Sequence, residues 1–113
     1  MSEIISSNVT VMVSNMDVAI TFYTQTLGLK LKNRHADHFA EVEAPGVIIA
    51  LHPSKEIKTG TNMSIALGVK DLDQSVAAFE KKGIKFYLYN EAGIRLAFFT
   101  DPDGNTLYLA PVK

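Results

Sequence analysis

Three histidines, His35, His38 and His52, are the side chains of this 113-residue chain best suited to proton transfer or metal ligation near neutral pH. Near them in sequence stand Glu41 and Glu43, and the chain's two arginines, Arg34 and Arg95, are its natural anchors for an anion. The spacing between positions 38 and 52 decides whether two of the histidines meet. If Ala44-Pro45-Gly46 forms a three-residue hairpin loop, residues whose numbers sum to 90 face each other, and His38 sits opposite His52 on the face that carries Ala50. Two imidazoles that close would share a proton or hold a metal. Pro45-Gly46 also suits a two-residue loop, which shifts the register by one and puts Glu41 opposite Ala50 instead. The expectation taken forward is the first, with His38 and His52 as cross-strand neighbours. The plain alternative for each is a solvated surface residue.

Other chemistries are closed off by what the chain lacks. With no cysteine there is no disulfide, thiolate catalysis or zinc-thiolate site. There is no serine elbow, no pair of catalytic carboxylates and no glycine-rich phosphate loop. Gly28, Gly46, Gly83 and Gly104 are each accounted for by a helix end or a turn. Glu41 and Glu43 alternate with Val42 and read as edge charges that deter unwanted strand pairing. Arg34 and Arg95 read as solvated strand-edge residues. Net charge is −1 and Lys81-Lys82 is the one basic pair, so there is no electrostatic footprint for nucleic acid or an acidic membrane. No apolar run approaches the roughly 18 residues of a membrane span. The start, MSEIISSN, lacks the basic residues and apolar core of a signal peptide, so a cytoplasmic setting is expected.

The elements that must position these side chains are written twice. Asn8 to Tyr23 reads NVTVMVSNMDVAITFY, and Ser64 onward reads SIALGVKDLDQSVAAF, at a spacing of 56 residues. Val9, Val11 and Val13 fall on Ile65, Leu67 and Val69; Met16, Ile20 and Tyr23 fall on Leu72, Val76 and Phe79. Each copy is an alternating strand, a polar corner and an amphipathic helix, and a unit this small cannot bury its apolar face alone. Ser14-Asn15 caps the first helix, whose stripe runs through Met16, Ala19, Ile20, Tyr23 and Leu27 to a closing Gly28. Strands follow at about 29–33, 37–43 and 47–52. Residues 53–61 are polar and read as the linker between halves. Asp71, with Gln74 three residues on, caps the second helix. Its buried stripe is Leu72, Val76 and Phe79, and Lys81, Lys82 and Gly83 end it. Strands follow at about 85–89, 94–100 and 105–110. Asp101-Pro102-Asp103-Gly104 predicts a three-residue hairpin loop, with proline at the second turn position and glycine in the left-handed slot. The fold class is therefore α+β: two tandem βαβββ modules, about 1–53 and 62–113, in one domain. Their curved mixed sheets are expected around a cleft, with helices on the outer face.

The segments VSNMDVAITFYTQTLGLKL and FFTDPDGNTLYL resemble the vicinal oxygen chelate superfamily, which includes glyoxalase I, bleomycin-resistance proteins and extradiol dioxygenases. The resemblance spans essentially the whole chain. It implies a divalent metal in the cleft, held by His, Glu or Gln on the first and fourth strand of each half. Carried across, those positions are Asn8, approximately Ala50, Ser64 and Tyr108. Here the chain departs from the family pattern, because alanine cannot ligate a metal, and serine, neutral tyrosine and an asparagine carbonyl are poor ligands. The expectation is no metal and no cofactor at those positions.

Strand parity supplies the remaining candidates. If the Val9 and Ile65 faces cover the helices, the concave face takes Asn8, Thr10 and Met12, then Ser64, Ala66 and Gly68, then Thr106, Tyr108 and Ala110. With Pro102–Gly104 as a three-residue loop, Phe98 sits across from Tyr108. The expected ligand-binding set is Asn8, Met12, His38, His52, Ser64, Phe98 and Tyr108. The expected function is a homodimer that binds a small hydrophobic or aromatic molecule without a metal. One alternative is a glyoxalase- or dioxygenase-like lyase or isomerase whose metal has moved to His38, His52 or a partner's Glu41. Another is a non-catalytic interaction domain whose aromatic residues fill the cleft.

Overall fold

The repeat carries through to the backbone. The computed structural model describes residues 6–56 and 63–112. The chain divides into two compact units, Met1–Ile57 and Lys58–Lys113, each with its own four-stranded sheet. Most of the expected linker, residues 57–61, lies outside the described residues.

In the first unit β1 (Val9–Val13) leads through α1 (Met16–Thr21) and a π-helical turn (Phe22–Thr26) to β2 (Lys30–His35), β3 (Phe39–Ala44) and β4 (Val47–Pro53). The strand order is β1-β4-β3-β2, with β1 parallel to β4 and the other pairs antiparallel. The Asn15 side chain accepts the Val18 N–H at 3.0 Å, which starts α1 where the polar corner required. The expected continuous helix is then interrupted. The Leu27 N–H bonds the Phe22 carbonyl, five residues back, at 2.9 Å, and the Thr24 hydroxyl donates to the Ile20 carbonyl at 2.6 Å. The wider turn still delivers Tyr23 and Leu27 to the core, and Gly28 closes it at φ +79°.

α1 packs on β3 and β4. On that side Val13, Tyr23, Val42, Ile49 and Leu51 are wholly buried, and each such side chain contributes about 1.5–3 kcal/mol by leaving water.

The second unit repeats the plan with β5 (Ile65–Val69), α2 (Leu72–Glu80), β6 (Tyr87–Glu91), β7 (Ile94–Thr100) and β8 (Thr106–Pro111), in the order β5-β8-β7-β6. β5 is parallel to β8. β5 and α2 begin 56 residues after β1 and α1, so the repeat sets both starts. Asp71 accepts the Gln74 N–H at 3.0 Å. α2 packs on β7 and β8, where Ala97, Phe99, Leu107 and Leu109 are buried. Of its expected stripe only Leu72 is fully buried; Val76 and Phe79 are half-buried.

Two hairpins set the registers that matter. Thr100 pairs with Thr106, and an Asp101 N–H to Asn105 carbonyl bond of 2.9 Å closes the three-residue loop Pro102–Gly104. Gly104 has φ +85°, as the three-residue loop demands. The earlier hairpin does not mirror it. Ala44 pairs with Val47, leaving Pro45 and Gly46 as a two-residue connection with Gly46 at φ +85°. Proline at the second position and a left-handed glycine at the third make a type II turn.

Candidate functional site

That turn overturns the histidine pair. Glu41 lies opposite Ala50 and Ala40 opposite Leu51, one residue away from the register that would have paired His38 with His52. His38 is not on a strand at all. It sits in the turn between β2 and β3, with its N–H donated to the His35 carbonyl at 3.0 Å. His52 is exposed on β4, its Nδ1 3.0 Å from the Pro53 carbonyl oxygen. What the structure does place beside His52 is Met12, its partner in the parallel β1–β4 register.

The face of the first sheet away from α1 is built in rows. Thr10, Ala50, Glu41 and Asn33 line up across all four strands, and the Asn33 amide donates to the Glu41 carboxylate at 2.7 Å. The expected edge charge at Glu41 is therefore a half-buried acceptor held by its neighbour. Asn8 is exposed just before β1. The arginines fall as solvated residues, each tied to the helix of its own module. Arg34 bonds Asp17 at 2.8 Å and Asp37 at 2.7 Å, and Arg95 bonds Asp73. These carboxylates raise both guanidinium pKa values, chiefly through the hydrogen bonds to Asp17 and to Asp73 respectively.

The second sheet has a contrasting face. Tyr87 pairs with Phe98, Phe98 with Tyr108, and Tyr108 with Ala66, which makes an aromatic row across the sheet. The Phe98 and Tyr108 ring centroids are 5.0 Å apart. This pairing is the one expected from the Asp101–Gly104 turn. Tyr87, 73% exposed, was missed. The signal for it lay in the two-residue Ala92-Gly93 turn, both residues at positive φ, which pairs Glu91 with Ile94 and so carries Tyr87 to Phe98. At the end of the row is an open groove of about 350 Å³, lined by Lys85, Phe86, Tyr87, Phe98, Thr100 and Thr106 and reaching Phe99 on the α2 side. Ser64 is exposed just before β5. Of the seven expected ligand residues, Met12 meets His52 and Phe98 meets Tyr108.

The positions at which a metal would be held do not fit one. Ala50 is 1% exposed and carries no donor, and Asn8, Ser64 and Tyr108 supply only an amide oxygen, a hydroxyl and a phenol. Among the described residues no group of three or more His, Asp or Glu is placed to ligate an ion. Nor, among them, is any helix long and apolar enough to cross a membrane.

Comparison with known proteins supplies the lineage. An uncharacterized protein from Mycolicibacterium smegmatis is 30% identical over 102 residues, covering 88% of this chain and 87% of that protein. A genomically encoded fosfomycin resistance protein from Listeria monocytogenes shares the fold, with a TM-score of 0.81 at 15% identity over 97% of this chain and 96% of its own. So does the bleomycin-binding protein of Streptomyces verticillus, solved with copper(II)-bleomycin, with a TM-score of 0.76 at 15% identity over the full length of both chains. The family model matches residues 6–109, which takes in both repeats from first strand to last, and the chain belongs to the Glyoxalase/Bleomycin resistance protein/Dioxygenase superfamily.

Proposed function

We propose that this protein binds a small hydrophobic or aromatic molecule without a metal, using the aromatic face of its second sheet. The observation that carries the reading is the row Tyr87–Phe98–Tyr108 on the face turned away from α2, with Tyr87 left 73% exposed beside an open groove. Two of the rings contact each other. The third offers a large apolar surface that a flat ligand would cover, and aromatic surfaces of this kind stack in offset or edge-on geometry. A groove near 350 Å³ is at the small end for ligand sites and suits one or two fused rings. The family also contains binding proteins, the bleomycin-binding neighbour among them by its name.

A lyase or isomerase whose metal has moved to His38, His52 or a partner's Glu41 is less favoured, because His38 and His52 are not paired and Glu41 accepts from Asn33 at 2.7 Å. The donor chemistry at Asn8, Ala50, Ser64 and Tyr108 gives it no replacement. A cytoplasmic homodimer belongs to the same proposal. β6 is an edge strand with Tyr87 on one face and Leu88, 63% exposed, on the other, a pattern that isolated edges avoid.

The test is native mass spectrometry of freshly purified protein, followed by thermal shift with a panel of one- and two-ring aromatics. A ligand of the folded state raises the melting temperature by mass action. A copurified small molecule, or a saturable shift abolished by Phe98→Ala, is the expected result. A ligand-free spectrum together with no shift from any compound would favour a filled, non-binding face.

A further inference from the structure

We infer that the ligand of the second sheet is an aromatic carboxylate, with its ring on Tyr87 and Phe98 and its anionic group at Lys85. The inference rests on the binding reading above and adds the charge and the direction of the ligand.

The groove has two unlike ends. One is the aromatic row. The other is polar, since Thr100 pairs with Thr106 two residues beyond the Phe98–Tyr108 pair, and strand alternation returns both hydroxyls to the same face. Lys85 lies two residues before Tyr87 and lines the same groove. The groove therefore carries one formal charge, an ammonium, with two hydroxyls as further donors.

That ammonium has no internal use. Among the described residues Lys85 makes no ion pair and no side-chain hydrogen bond, whereas both arginines are held by aspartates. Two acidic side chains of this module are placed or engaged away from it. Glu91 is at the far end of β6, about 20 Å away along the strand at about 3.3 Å per residue, where it accepts the Tyr89 hydroxyl at 3.3 Å. Asp101 is 3% exposed, with its oxygens committed to the Asp103 and Asn105 N–H groups and the Asn105 amide.

A carboxylate at this end would gain a charge-assisted hydrogen bond from Lys85 and neutral ones from the threonines. A cation would be repelled, and a neutral ring would leave the polar end to water. One lysine, with no arginine fork and no glycine-rich loop, matches a singly charged carboxylate better than a phosphate dianion.

Three probes that share a ring system separate these cases: 2-naphthoate, 2-naphthylmethanol and 2-naphthylmethylammonium. Each is titrated into ¹⁵N-labelled protein, with affinity from calorimetry and location from amide shifts. Naphthoate is expected to bind roughly five- to tenfold tighter than the alcohol, with the ammonium weakest, and to perturb Tyr87, Phe98 and Thr100. In Lys85→Met the preference for naphthoate over the alcohol should disappear, while Lys85→Arg retains it. Equal affinities for the three probes with shifts on the aromatic row would overturn the charge assignment and leave the binding reading standing. So would a naphthoate preference that survives Lys85→Met. No shifts on this face from any probe would overturn both.

Discussion

The rings of Phe98 and Tyr108 lie 5.0 Å apart, centroid to centroid, and are inclined by 44°. They meet because their residues are paired across β7 and β8, and that pairing follows from the length of the Pro102–Gly104 loop. Both are half-buried, so each ring serves the other and still presents surface. Phe98→Ala is expected to cost about 1–3 kcal/mol in urea unfolding, from lost burial and the lost ring pair. Tyr108→Phe should stay within about 0.5 kcal/mol of the native protein, since it keeps the ring. Equal costs for the two would deny the pair its role.

Asp101 is the buried charged residue whose removal should be felt most. Three donors converge on its carboxylate, the Asp103 N–H at 2.9 Å, the Asn105 N–H at 2.9 Å and the Asn105 amide at 2.8 Å. Asp101→Ala orphans them and should destabilise by about 2–3 kcal/mol. Asp101→Asn should be nearly as costly, because one acceptor becomes a donor facing the Asn105 amide. Chemical denaturation of both variants decides it; a neutral Asp101→Asn would show that the loop holds without the second oxygen.

Arg34 joins α1 to the β2–β3 turn through Asp17 and Asp37. Its pKa is raised above the ordinary guanidinium value, first by the hydrogen bond to Asp17 and then by that to Asp37. The stability linked to a raised cationic pKa is fully present below the unfolded value and is lost only as pH rises through the folded one. Arg34 therefore contributes no pH dependence between about pH 5 and 9. Salt is the effective lever. The melting-temperature difference between the native protein and Arg34→Met should be small in dilute buffer and vanish by about 1 M salt, where screening acts over about 3 Å.

Metal supplies a further check. Zinc sites hold three or more strong ligands at about 2.0–2.3 Å, and Asn8, Ala50, Ser64 and Tyr108 offer none of that kind. Nickel, zinc or manganese added to chelator-treated protein should leave the melting temperature unchanged. Stoichiometric retention of any of them on native mass spectrometry would reverse the proposal.

A dimer is expected from the exposed edge strand β6. Sedimentation at about 10–50 µM should give twice the chain mass, and Leu88→Lys, at a position 63% exposed, should shift it toward monomer. Monomer throughout that range for the native chain would remove the homodimer from the proposal.

The amino-acid sequence by itself determined the elements and their order. Alternation in residues 9–13 and 65–69, the caps at Asn15 and Asp71 and the repeat spacing are local, and each is enforced by short-range hydrogen bonding or by a single buried face. The Phe98–Tyr108 contact was legible as well, because Pro102 and Gly104 leave the connecting loop little choice. The contact between His38 and His52 was not. Ala44-Pro45-Gly46 is compatible with two loop lengths, and the burial of Ala40, Val42, Ile49 and Leu51 on one side of the sheet chose the shorter. A one-residue change of register reverses every pairing beyond the turn. Likewise Lys85 acquired its place only in the folded unit, since it precedes β6 and nothing local to it tells which side chains will share its groove.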